Sequence, residues 1–177
     1  MKDNRGFTLI ELIAAITILS IIMLVAIPNI MSISIKNKNR TYLNDANKLV
    51  VLTKYLFESD ADIQKPTVNG TSSKCLRVRL SELDQTELQT GPENGTYEEN
   101  DSLVIVRYDN TASKYVYYVQ LKEKYNSGSG ADSYQGVPLT EYKNILGQEK
   151  NNFVKTSGWS ENISSCTEYI DYSYINN

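Results

Sequence analysis

From Phe7 to Ile27 only Thr8, Glu11, Thr17 and Ser20 break an otherwise apolar run, and any fold of this chain must keep that run out of water. As a continuous helix it is roughly 30 Å long, about the thickness of a bilayer's hydrocarbon core, so it is long enough to span a membrane. Lys2 and Arg5 precede it. Positive flanks stay cytoplasmic, which predicts an N-terminus inside and the remaining chain outside.

Glu11 does not fit an ordinary anchor. An unpaired carboxylate costs up to about 2.5 to 3.5 kcal/mol in a span, the upper figure applying at the bilayer centre. No Lys or Arg occurs between Phe7 and Ile35, so the side chains of the span offer no cation. A cut after Gly6 creates one, because a new amine on Phe7, with an ordinary pKa of about 7.7 to 8, is largely positive at neutral pH. Its own Glu11, one helical turn away, then competes with that of a neighbouring subunit.

A short basic leader, Gly6, Phe7, Thr8-Leu9-Ile10, Glu11 and a Pro28 closing the apolar run together resemble the type IV pilins and their pseudopilin relatives. The resemblance implies an α+β type IV pilin fold. It also implies cleavage between Gly6 and Phe7 by a membrane-embedded prepilin peptidase, N-methylation of Phe7, and pairing of Glu11 with the amine of an adjacent subunit. The implied partners are that peptidase, other pilin subunits in a homo- or heteropolymer, an inner-membrane assembly platform, and the membrane itself before assembly. Many members carry a glycine in the middle of the run, where this chain has Ser20. The alternative is a plain signal anchor whose Glu11 protonates or snorkels. Pro28 lacks an N–H and releases the carbonyl of Leu24, so a kink or unwound segment is expected just before it.

The 177 residues and net charge of −3 leave room for one anchor and one modest globular domain. Losing Met1–Gly6 removes Lys2, Arg5 and Asp3, which takes the charge to −4. Such a surface does not suggest nucleic acid. Histidine is absent, which removes the commonest general base and metal ligand. No catalytic residue, metal or cofactor is expected, and the chain is read as not an enzyme. Cys75 and Cys166, the only cysteines, both fall on the predicted outer side and are read as a disulfide, with two buried free thiols as the alternative. In the chain-entropy model so long a loop stabilises by up to roughly 4.6 kcal/mol.

Beyond Pro28, Tyr42, Ala46, Leu49, Val50, Leu56 and Phe57 recur at helical spacing, while Lys38, Arg40, Asn44, Asp45 and Lys48 occupy other faces. With the anchor this predicts a helical spine roughly 75 Å long, ended by Ser59 to Asp62 and followed by a loop containing Pro66 and Asn69-Gly70. Cys75 to Leu80 reads as a strand with Leu76, Val78 and Leu80 facing the spine. Ser81 should cap a helical turn extending toward Leu88. Leu103 to Tyr108 and Lys114 to Leu121 form a hairpin whose Tyr115, Tyr117, Val119 and Leu121 face the helix. Asn126 to Gly136 reads as a mobile Gly/Ser-rich loop, Thr140 to Leu146 as a helical turn, Asn152 to Lys155 as a short strand, and Cys166 to Ile175 as a terminal strand or ordered tail. The predicted organisation is a cleaved leader at 1–6, a hydrophobic membrane and assembly helix at 7–28, its amphipathic half at 29–58, and a head at 59–177.

Smaller signals have two readings each. The tyrosines, including Tyr169, Tyr172 and Tyr174, suit a glycan- or surface-binding patch or, more plainly, half-buried strands with wet hydroxyls. Glu93, Asn94, Glu98, Glu99, Asn100 and Asp101 suit a calcium loop or a solvated acidic turn. Asn69, Asn94 and Asn162 stand in Asn-Xaa-Ser/Thr patterns, read as incidental. The functional expectation is a structural subunit of a type IV pilus or similar filament serving adhesion, motility or surface attachment. The alternatives are a pseudopilin of a type II secretion or DNA-uptake system and a solitary signal-anchored surface binding module. Within the resemblance, Glu11 argues against the minor tip pseudopilins, which usually lack that carboxylate.

Overall fold

Helical periodicity with no internal cap from Leu9 onward produces one long helix, α1 (Leu9–Ser59), in a computed structural model that describes residues 8–70, 72–83, 88–128, 130–146 and 153–172. The chain divides into two units, Met1–Asn37 and Lys38–Asn177. In the first, α1 carries its apolar residues exposed on every face, and it stays helical through Pro28, so the unwound segment expected just before that residue is not formed.

In the second unit α1 packs on a sheet of β1 (Thr67–Asn69), β2 (Ser72–Arg79), β3 (Thr96–Tyr97), β4 (Leu103–Asp109), β5 (Lys114–Asn126), β6 (Asp132–Glu141) and β7 (Glu168–Asp171), with a short α2 (Tyr142–Ile145) after β6. This α+β arrangement, a long N-terminal helix with a C-terminal antiparallel sheet, is consistent with the pilin fold. One pairing departs from antiparallel, because β7 runs parallel to β2. Lys74 pairs with both Thr67 and Glu168, so β1 and β7 lie on opposite edges of β2. The strands then run β7, β2, β4, β5, β6 across the sheet, β1 and β3 continuing the β4 lane at its two ends.

Side chains alternate across a strand, so one face of the sheet collects Leu76, Val78, Val104, Val106, Val119 and Leu121 against Tyr42, Ala46, Leu49, Val50 and Phe57 of α1. Phe57 meets the ring of Tyr115 edge-on at 4.8 Å between centroids. The expected Cys75 to Leu80 strand and the hairpin are both present, with β5 running five residues beyond Leu121 to Asn126.

Four local expectations are corrected. Asp45 is buried, because it sits one turn from Tyr42 and Leu49 and takes a hydrogen bond from Tyr97. The loop after the spine contains β1, which folds back on β2 through a turn at Gly70. Ser81 lies inside a 3₁₀ turn, Leu80–Glu82, and the Glu82 carboxylate takes the Arg79 N–H at 2.7 Å; residues 84–87 of the expected turn are outside the described residues. The Gly/Ser-rich stretch is mostly strand, since β6 pairs with β5 from Asn126↔Asp132 and runs on to Glu141, while the helical turn expected within Thr140 to Leu146 is present as α2.

The β5–β6 ladder carries an extra residue on β6 between Val137 and Thr140, opposite Val119 to Leu121. Pro138, which has no N–H to donate, sits in that bulge. Gly136 has φ +153, and a Cβ there would lie 2.0 Å from the Leu121 carbonyl oxygen. Only glycine lets the strands approach this closely. Lys155 then pairs with Gly136 on the free side of β6, where a short strand ending at Lys155 was expected.

Candidate functional site

Sixteen large apolar side chains between Leu9 and Ile35 are half or more exposed, Leu9 and Leu24 reaching 78%. The stretch is long and apolar enough to cross a membrane by length and composition. Soluble proteins seldom expose apolar patches above a few hundred Å², and an apolar run of this length exposed on all sides is unusual for a soluble domain.

Its polar groups are arranged for apolar surroundings. The Thr17 hydroxyl donates to the carbonyls of Ala14 at 2.8 Å and Ile13 at 3.1 Å, and Ser20 to that of Ile16 at 2.7 Å. Asn29 Nδ2 donates to the Val25 carbonyl at 3.1 Å. Returning these donors to the helix's own backbone removes their need for water.

The entry of α1 is closed by Thr8 and Glu11. Glu11 Oε2 accepts both the Thr8 N–H and the Thr8 hydroxyl at 2.8 Å, and Thr8 Oγ1 faces the Glu11 N–H at 3.3 Å. This is a capping box, in which a threonine and a glutamate three residues on satisfy each other's orphan backbone donors. The Thr-Leu-Ile-Glu spacing carried that signal, and a reading of Glu11 as a lone charge overlooks it. Both donors are neutral, so the carboxylate is held in place while, among the described residues, no cation pairs with it. Gly6 and the Phe7 amine, the expected cleavage and methylation positions, lie outside the described residues.

In the second unit, Cys75 and Cys166 form a disulfide with Cα atoms 5.9 Å apart. It fastens the segment carrying β7 over the sheet's outer face, where Cys75, Leu103 and Ile105 pack with Tyr118, Leu139, Ile163 and Tyr169. Thr167 adds bonds from its N–H to Ser73 O at 2.9 Å and from Ser73 N–H to its hydroxyl at 2.8 Å. Arg77 grips Asp171 in a bidentate pair at 2.5 and 2.9 Å. That hydrogen-bonded pair holds the Asp171 carboxyl below its ordinary range and raises the guanidinium. A carboxyl depressed by folding stabilises above its unfolded pKa of about 3.9 and loses that contribution as pH falls through the folded value. Asp171 is half exposed, so the pair contributes about 1 kcal/mol or less. The thermal midpoint of Asp171→Asn is therefore expected to lie slightly below wild type at neutral pH and to converge with it below about pH 4. An offset that persists in acid would assign the effect to packing.

Among the described residues the tyrosines have several kinds of surroundings, and Tyr108 and Tyr115 meet edge-on at 5.2 Å between centroids. Tyr42 and Tyr97 are buried, and burial, followed by hydrogen bonds to Glu123 and Asp45, pushes both phenols far up, so both remain donors. Lys54 lies over Tyr117 and Tyr142, and Lys122 over Tyr134. Tyr174 is outside the described residues. In the acidic loop, Glu93 pairs with Lys38 at 2.6 Å and Asp101 with Lys122 at 2.5 Å. Among the described residues no group of acidic, cysteine or histidine side chains is placed to hold a metal ion.

Residues 1–27 match the family described as the prokaryotic N-terminal methylation motif, the leader of type IV pilins and pseudopilins. Comparison with curated proteins and with solved structures returned no significant match. The motif and the exposed apolar helix are together consistent with membrane anchoring.

Proposed function

We propose that this chain is a structural subunit of a type IV pilus-like filament, held in the membrane as a single-pass precursor, trimmed after Gly6, methylated on Phe7 and packed helix against helix into an extracellular fibre for attachment or motility. The observation that carries the reading is the methylation motif over residues 1–27 running directly into a helix exposed on every apolar face. Lipid covers that surface before assembly, and neighbouring copies cover it afterwards. The chain's work is assembly, with no turnover of a substrate.

N-terminal analysis and intact mass of the mature protein test it. The expected chain begins at a methylated Phe7. A chain beginning at Met1, or cut beyond the apolar run, would remove the basis of the reading. Gly6→Leu is expected to leave uncleaved precursor in the membrane fraction. Copy number in sheared filaments separates a main filament subunit from a pseudopilin, since the latter would be absent or present in a few copies.

A further inference from the structure

An asparagine followed by glycine is open to attack by its own backbone, because glycine has no side chain to shield its nitrogen. The chain has two such pairs, Asn69-Gly70 and Asn94-Gly95, and the fold treats them differently. We propose that Asn69 is a site of spontaneous succinimide formation and deamidation in the folded protein, and that Glu123 protects Asn94 from the same reaction.

In the reaction the Gly70 nitrogen gives up its proton to solvent base and attacks Asn69 Cγ. The new N–Cγ bond replaces the Cγ–Nδ2 bond, and ammonia leaves with a proton taken from water. A second water opens the ring at either carbonyl, leaving aspartate or an isoaspartyl linkage. The net change is water in and ammonia out.

Asn69 ends the three-residue β1, and both it and Gly70 are exposed. Gly70 is exposed with φ +60, and a Cβ built there meets nothing within 4 Å, so the turn is open on that side. Among the described residues no backbone acceptor takes the Gly70 N–H, and no hydrogen bond ties the Asn69 side chain.

At the second pair the nucleophile is occupied. The Gly95 N–H donates to Glu123 Oε1 at 2.7 Å, and the Glu93 N–H donates to the same carboxylate at 3.0 Å. The loop is closed by Gly91 N–H on Gly95 O and Asn94 N–H on Gly91 O, both at 3.1 Å. A Cβ on Gly95 would lie 2.1 Å from the Lys124 carbonyl oxygen, so that backbone is packed in place. Deprotonating Gly95 N would set a second negative charge against Glu123, and ring closure would also have to pull the nitrogen out of the loop.

Conversion at Asn69 adds a negative charge and, in the isoaspartyl form, an extra backbone atom beside the Asn69↔Ser72 pair that closes the hairpin. An isoaspartyl residue there would mark the age of a subunit once it is made.

The test incubates the detergent-solubilised full chain in mildly alkaline buffer, folded and in denaturant, and quantifies aspartate and isoaspartate at both positions by peptide mapping. In denaturant the two should convert at similar rates. In the folded chain Asn69 should keep converting while Asn94 falls behind by tenfold or more, about the penalty of a misplaced nucleophile. Gly70→Ala should slow Asn69 and leave Asn94 unchanged. Equal rates in the folded chain, or arrest at Asn69 on folding, would overturn the proposal.

Discussion

Glu123→Leu is expected to cost on the order of 3 to 5 kcal/mol of head stability, the range for removing one partner from a buried charged group, against a total of about 5 to 15 kcal/mol for a domain. Position 123 continues the alternation of Tyr115, Tyr117, Val119 and Leu121, so β5 delivers a carboxylate to the face that packs on α1. Glu123 is fully buried there. Its oxygens take the Tyr42 hydroxyl at 2.5 Å and the backbone N–H groups of Glu93 and Gly95. Leucine has similar bulk, so little cavity opens, yet three donors lose their acceptor. Glu123→Gln keeps one acceptor oxygen and should lose less. Tyr42→Phe removes one donor, and its effect should overlap with that of Glu123→Leu in a double-mutant cycle because the two share a bond. Denaturant unfolding of the full chain in detergent is the measurement. A wild-type midpoint for Glu123→Leu would mean that water satisfies the loop in its place.

The same residue shows where reading the chain alone stops. Period 3.6 from Tyr42 to Phe57 and period 2 along β4 and β5 identify helix, hairpin and the face between them, because burial imposes those periods directly. A charged residue in phase with an apolar stripe reads as the end of that stripe. Glu123 and Asp45 were invisible as core residues because their partners, Tyr42 and Tyr97, lie on other elements. Strand β6 was hidden for a local reason. Gly136 and Pro138 are turn formers by composition, and only the close approach to Leu121 and the bulge make them strand residues. Parallel β7 depends on Thr167 meeting Ser73 and on Arg77 meeting Asp171, contacts between distant parts of the chain that no window can contain. Thr8-Leu9-Ile10-Glu11 is both a cap and a charge, and the two roles call for different partners.

Those roles separate experimentally, with the largest functional effect expected at Glu11. Thr8→Ala removes the cap hydroxyl and should cost the helix entry about 1 kcal/mol while leaving the carboxylate's charge in place. Glu11→Gln retains an oxygen for the Thr8 donors, which now sit at 2.8 Å, and removes the charge. If Glu11 matters only as a cap, Thr8→Ala should be the more harmful of the two. If it pairs with the amine of a neighbouring Phe7, the order reverses. In a filament the apolar helices exclude water, so the surroundings penalise an unpaired charge and strengthen an opposite pair. We expect both variants to be processed and inserted normally, since neither cleavage after Gly6 nor the span needs the carboxylate. Thr8→Ala should then enter filaments at near wild-type level and Glu11→Gln poorly. Glu11→Lys should be excluded almost completely, because it sets two cations against each other. The comparison is of membrane-retained and sheared filament fractions at equal expression, in cells lacking the native subunit. Wild-type incorporation of Glu11→Lys there would show that this carboxylate does not set the register of assembly.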